Sequence, residues 1–281
     1  MDNVTHTLVG AALGRTGLHR RTGFSMATLM VGANVPDIDV LGLLAGENLA
    51  WRRGWTHGPI ALLILPAVAA WAFAAFDRWQ THRGTRPPDR PPVRMKWLLA
   101  LSYLGTLSHP LLDLLNTYGI RCLMPFSERW FYGDTLFIVD PLVWTALGLG
   151  LWLSYRLPQP LSDRPALAAL LAAAGYCSAM FAAGRAAENY VAGYVRASGQ
   201  QAPERVLANP VFFDPFRRRM VIETAGTYRF ADFQWLPGPR LVLAPEPIPA
   251  NRSDPAVTRA KARDKRVADF LYWSRYPFAT I

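Results

Sequence analysis

Residues 106–119 read T-L-S-H-P-L-L-D-L-L-N-T-Y-G. This apolar stretch carries His109, Asp113 and Asn116. On a helix, positions four and seven apart return to one face within about 40° and 20°. The three polar groups therefore share a stripe, and leucines cover the rest. An imidazole and a carboxylate one turn apart can reach a common ion. The same pair can also form a buried hydrogen bond that only joins two helices, and the pair alone does not decide between these roles. Further candidates lie upstream. N-V-P-D-I-D, residues 34–39, sets Asp37 and Asp39 behind a proline. Two apart on a helix they face different sides; in a turn or a helix entry they converge on one ion, and helix capping accounts for only one of them. G-W-T-H-G-P, residues 54–59, places His57 just ahead of a strongly apolar run, and His6 falls in the first turn of an N-terminal helix.

Helices must bring these groups together. Residues 4–17 and 24–35 form two arms around an Arg20–Arg21 turn. Each arm is about 12 residues, roughly 18 Å as helix, short of the roughly 30 Å hydrocarbon core. They read as a re-entrant or interfacial hairpin. Residues 58–76, 97–118, 135–155 and 166–184 read as four spans, with Trp71 and Trp79 suited to an interface belt. Pro110 either kinks the second span or begins a fresh helix capped by Ser108. The 77–97 linker contains R-P-P-D-R-P-P, which favours an extended, solvated loop. From residue 185 the pattern changes. N-P-V-F-F-D-P, R-M-V-I-E-T and T-Y-R-F-A-D-F-Q read as three short strands, followed by a Pro-rich link and an amphipathic helix over 256–274 bearing Phe270, Leu271 and Trp273. The expected fold is mainly α. It is a polytopic membrane helical bundle of about four spans plus a short N-terminal helical hairpin (1–184), with a small C-terminal α+β extramembrane domain (185–281).

The chain has 281 residues, 51% hydrophobic and only 18% charged, with a net charge of +10. The arginines sit beside apolar runs, which fits juxtamembrane anchoring better than nucleic-acid binding. Two cysteines, Cys122 and Cys177, without a C-x-x-C, offer neither a disulfide framework nor a zinc ribbon. No basic region precedes an apolar one at the N-terminus, so no cleaved signal peptide is expected. The 77–97 linker, the 155–165 turn and the hairpin tip hold ten basic residues; the opposite short loops hold four, Arg52, Arg53, Arg121 and Arg129. That bias puts the linker in the cytoplasm and the opposite face, with the C-terminal domain, outside it. His6, Asp37, Asp39, His57, Asp113, Asn116 and Asp140 then all fall at the same, extracytoplasmic face. Ionisable groups at membrane depth are costly and mark a site with partners. Histidines and carboxylates together suit zinc or a similar divalent ion.

M-D-N-V-T-H-T, P-D-I-D, W-T-H-G, S-H-P-L-L-D-L-L-N-T-Y-G, P-F-S and I-V-D-P resemble the bacterial YdjM-like family. Its members are LexA-regulated inner-membrane proteins described as metal-dependent hydrolases. The resemblance covers roughly residues 1–155. A more distant likeness to zinc-dependent phospholipase C implies metal ligation by His6, Asp37 or Asp39, His57, His109 and Asp113. That group uses more histidines around three zincs, so one or two metals are expected here. The expected function is a membrane-embedded metal-dependent hydrolase acting on a small-molecule or lipid substrate, such as a lipid-linked ester or phosphoester. His57, His109 and Asp113 lead the ligand set, and His6 either joins it or serves packing. Asp37 or Asp39 completes it, and the other, with Asp39 the candidate, acts as general base. Asn116 and Asp140 orient imidazole N–H groups, Asp140 being equally a helix N-cap. Arg129, beside Trp130 and Tyr132, holds an anion or anchors the interface. Two rivals are an ion- or proton-translocating protein and a noncatalytic scaffold with a structural metal. The hydrolase expectation fails if His57 lies more than about 10 Å from the His109–Asp113 pair.

Overall fold

The computed structural model describes residues 1–44, 46 and 48–280. The N-terminal hairpin is α1 (Asn3–Arg15) and α2 (Ser25–Gly32), followed by a 3-10 helix over Val35–Leu43 and a short α3 (Asn48–Trp51). Asp2 opens α1 by accepting the amides of Val4 and Thr5 at 2.9 and 3.0 Å, as an N-cap should. Then come α4 (Pro59–His82), α5 (Met95–Leu114), α6 (Pro141–Arg156) and α7 (Arg164–Ala197). Helix α5 runs through Pro110 without a break, and the Ser108 hydroxyl donates back to the Gly105 carbonyl at 2.7 Å instead of capping a new helix.

Among the described residues, two helices are long and apolar enough to cross a membrane: α4, and α7 with the turn before it (Leu161–Ala197). A third span arises if α2 and the following 3-10 helix, bent by 45°, count as one. At 16 residues α6 is roughly 24 Å long, shorter than the hydrocarbon core. Helix α5 carries Lys96, His109 and Asp113 and is less apolar. The apolar runs at 97–118 and 135–155 predict spans; Pro141 starts α6 six residues into the second run, and the polar groups of α5 lower its hydropathy.

Close backbone contact aligns the hairpin with α5. A Cβ on Gly10 would lie 2.8 Å from the Leu29 carbonyl oxygen, and one on Gly105 would lie 2.6 Å from the same oxygen. Both glycines therefore let a helix settle directly against α2. The buried stripe of α5 includes Leu98, Leu101, Gly105, Thr106, His109 and Asp113, so its last turn delivers the polar pair into the bundle. Ala12, Val143, Leu147 and Ala169 form the core that joins α1, α6 and α7.

Helix α7 continues past residue 184 to Ala197, so the change in chain character falls after it and not at 185. Ala187, Val191 and Val195 on its last turns pack against Ala208, Met220, Ile222 and Phe233 of the sheet. The sheet has five strands where the sequence pattern showed three. Strands β1 (Arg205–Val211), β2 (Asp214–Thr224), β3 (Thr227–Gln234) and β4 (Arg240–Leu243) are antiparallel in that order, and β5 (Ile248–Pro249) pairs with β3. The shorter strands lie in Pro- and Arg-rich sequence that conceals alternation. The terminal helix is two, α8 (Pro255–Arg263) and α9 (Lys265–Trp273), divided where Asp264 caps α9 through the Arg266 amide at 2.8 Å. The Trp273 indole donates to the Tyr118 carbonyl at 2.9 Å, and the Tyr132 hydroxyl donates to the Trp273 carbonyl at 3.0 Å. These bonds tie the last helix to the loop after α5.

Candidate metal centre

Asp37, His57, His109 and Asp113 each present one ligand atom, and the four atoms lie within 4.8 Å of one another. All four residues are buried. They arrive from four places: the start of the 3-10 helix, the turn before α4, and two successive turns of α5. The His57 and His109 Nε2 atoms are 3.0 Å apart. Each lies 3.4 Å from Asp113 Oδ2, and His109 Nε2 lies 3.7 Å from Asp37 Oδ1. Four tetrahedral ligands at zinc bond lengths of 2.0–2.1 Å would be about 3.3 Å apart. These four edges, 3.0–3.7 Å, bracket that spacing, and the other two are at most 4.8 Å.

The hydrogen positions strengthen the fit. His109 Nδ1 lies 2.7 Å from the Ala33 carbonyl oxygen. A carbonyl only accepts, so Nδ1 carries the hydrogen and a neutral ring turns its Nε2 lone pair into the site. His57 Nδ1 sits 2.9 Å from the Thr56 hydroxyl and 3.5 Å from Asp39 Oδ2. With its hydrogen directed there, the second Nε2 lone pair also faces inward. With both hydrogens on Nδ1, two Nε2 lone pairs face each other at 3.0 Å beside Asp37 Oδ1 and Asp113 Oδ2. Arg52 and Arg53 reach those oxygens at 3.3 and 3.0 Å from one side, and a cation between the nitrogens would relieve the repulsion of the lone pairs. The residues present therefore fit a divalent metal.

His6 stands next to this group. Its ring stacks on His109, centroids 3.8 Å apart and 17° from parallel, and its Nε2 lies 3.3 Å from Asp113 Oδ1. It thus meets the other oxygen of the shared carboxylate. Burial pushes the His6 imidazolium pKa down to about 4, which keeps the ring neutral near pH 7. The nitrogen of Met1 also contacts Asp113 Oδ1.

Two expectations, for Asp39 and Asn116, need correction. Asp39 does not join the four-group cluster. On a 3-10 helix, residues two apart diverge by about 120°, so Asp37 meets His109 while Asp39 turns behind His57. There it accepts from Arg52 Nη1 and the Arg53 amide, each at 2.6 Å. So held, it orients His57 and is not placed as a base over the site. Asn116 orients no imidazole: its Oδ1 accepts from Arg53 Nη1 and the Tyr118 amide, each at 2.9 Å. Asp140 takes the second of its two expected roles, the helix N-cap: it lies outside the cluster, capping α6 through the Leu142 and Val143 amides at 2.9 and 3.1 Å and accepting from the Tyr176 hydroxyl at 3.1 Å. Arg129 is exposed over the Phe131 ring, and it is Arg121 that lies over Trp130.

The sequence reading missed Arg53. Its guanidinium is 1% exposed, with Nε 3.0 Å from Asp113 Oδ2. Nη1 also donates to the Gly119 carbonyl at 3.2 Å, and the Tyr118 ring lies 4.9 Å from the guanidinium carbon. Arg52 bridges Asp37 and Asp39 at 3.3 and 2.6 Å. In the sequence W-R-R-G-W reads as loop charge. The available signal was two adjacent arginines between tryptophans, within twenty residues of two aspartates that need counter-charges.

The sequence profile of the YdjM inner membrane protein family matches residues 1–187, well over half of the chain and all of the site. The chain belongs to this family. It is also similar to the uncharacterized protein YfhP of Bacillus subtilis (strain 168), 27% identical over 157 residues that cover 51% of this chain and 43% of that one. The match spans less than half of that relative's length. No solved structure matches the chain. The sheet and the two terminal helices lie beyond the family match.

Proposed function

We propose that this protein is a metal-dependent hydrolase embedded in the bacterial inner membrane, with zinc held by Asp37, His57, His109 and Asp113. The observation that carries the reading is the buried cluster of Asp37, His57, His109 and Asp113, whose ligand atoms lie within 4.8 Å of one another with the two histidine Nε2 atoms 3.0 Å apart. A divalent cation there supplies Lewis acidity, which acidifies water and polarises an ester or phosphoryl oxygen. The chain's own groups supply the rest. Ala33 and the Thr56–Asp39 pair fix the two rings, the kind of outer support that ligating histidines need. Arg53 and Arg52 offset the carboxylate charge and hold Asp113 and Asp37 in place. The basic hairpin tip, at the other end of α1 from His6, pairs with the turn between α6 and α7, Arg20 to Asp163 at 3.0 Å. That separation supports a site at the extracytoplasmic end. A lipid or lipid-linked ester or phosphoester is the substrate class in keeping with this position.

The test uses the full chain in detergent, loaded with zinc, against bis-p-nitrophenyl phosphate and p-nitrophenyl esters. Cleavage of one of them should depend on zinc and stop on chelation. His109→Ala should lose both metal and cleavage while keeping its helical content. Cleavage that survives His109→Ala at full rate contradicts the reading.

A further inference from the structure

A groove of about 520 Å3 runs between α1, α2 and the start of the 3-10 helix. Its volume lies within the roughly 300–1,000 Å3 typical of small-molecule sites. One wall is polar: Asn3, Thr7 and Asn34. Asn34 Nδ2 donates to Thr7 Oγ1 at 3.0 Å, and Asn3 Nδ2 donates to Asn34 Oδ1 at 3.2 Å, so the three form one fixed hydrogen-bonding surface. The other wall is hydrocarbon: Met30, Val31, Val35 and Ile38. The groove ends on Asp37. The Asp37 Oδ2 atom accepts from Asn3 at 3.0 Å, while Oδ1, on the same buried carboxylate, lies 3.3 Å from Arg52 Nη2 and 3.7 Å from His109 Nε2.

We propose that a bilayer lipid enters the site sideways along this groove, its acyl chain on the apolar wall and its hydrogen-bonding head on the Asn3–Thr7–Asn34 wall. The inference rests on the hydrolase reading and narrows its substrate to an amphiphile drawn from the membrane. The helix pair that bears the apolar wall is the bent candidate span, and Val31 and Ile38 are about half exposed on it. Such a wall opens to hydrocarbon at little cost and to water at a considerable one. No arginine or lysine lines the groove among the described residues. It is therefore built for hydrocarbon and neutral hydrogen-bonding groups, with the ester presented beside Asp37.

The experiment reconstitutes the full chain, loaded with zinc, in vesicles of phosphatidylethanolamine and phosphatidylglycerol. A trace of phosphatidylcholine carries a diazirine near the head of its acyl chain. After illumination, the labelled peptides are mapped by mass spectrometry. The label is expected on α1 around Asn3–Thr7 as well as on Met30–Ile38. In Val31→Trp, and independently in Ile38→Trp, the α1 label should fall to background. Label at the outward Trp71 and zinc content should stay unchanged, which shows that the variants fold. An unlabelled α1 in the wild type, or α1 label undiminished in both variants, overturns the proposal. The label needs no turnover. Label as expected with no ester cleaved therefore defeats the hydrolase reading alone, and zinc-dependent ester cleavage with α1 unlabelled defeats the groove alone.

Discussion

Each imidazole at the centre is held from behind by an atom that dictates its tautomer. His109 donates to a backbone carbonyl that no side-chain substitution removes, whereas His57 relies on Thr56 and Asp39. Asp39→Asn should therefore leave the four ligand atoms in place but weaken zinc binding by roughly 10–100-fold, read by competition with a chromophoric chelator. Unchanged affinity would show that the Thr56–Asp39 support is idle. Arg53 makes a second case. Removing one partner of a buried ion pair costs about 3–5 kcal/mol. Arg53→Ala should thus lower the thermal midpoint markedly even with zinc present, and Arg53→Lys, which keeps the charge but not the fork, should restore part of the loss. The ligand types and their order were legible at this scale because H-x-x-x-D and the isolated polar groups stand out against leucine. The division of labour between Asp37 and Asp39 was not, since it turns on a 3-10 helix instead of a turn. Arg53 was hidden because a loop arginine reads as surface charge until its carboxylate partner, sixty residues on, is in view.

The helices bring the ligands together through two glycines packed on one carbonyl. Gly105→Leu would put a Cβ 2.6 Å from the Leu29 oxygen, where the neighbour is backbone and cannot yield cheaply. Helix α5 should move off α2 and carry His109 and Asp113 out of register with Asp37. Metal content of the variant purified in detergent should fall below that of wild type, and full zinc occupancy would contradict the packing argument. Asp140 belongs to this scale as well. As the N-cap of α6, its replacement by Ala should cost about 1 kcal/mol and leave zinc content unaltered, whereas a role within the centre would lower both. The helical segments themselves were legible from apolar runs and prolines. Their lengths were not: α6 begins only at Pro141, and α7 extends past the apolar run to Ala197 because its last turns find a second apolar partner in the sheet.

At the level of the whole molecule, the helices gather the buried cluster, and the last helix packs on the loop after α5 beside it. The Trp273 ring lies 4.9 Å from Tyr118, which in turn lies against Arg53 and so against Asp113. That chain of contacts joins residues outside the family match to the centre within it. The change of composition along the sequence marks where the sheet follows the helices, but not this docking, because a single amphipathic face does not say what it covers. The central claim is that one divalent ion sits among His57, His109, Asp37 and Asp113. The most direct measurement is zinc K-edge X-ray absorption on the purified full chain, alongside metal stoichiometry. The account predicts about one tightly held zinc per chain, or two if His6 and the second oxygen of Asp113 take another. It further predicts light N/O scatterers at roughly 2.0–2.1 Å with imidazole features, lost in His57→Ala and His109→Ala. A protein that retains no metal from zinc-supplemented growth, or whose zinc signal is indifferent to both substitutions, would contradict it.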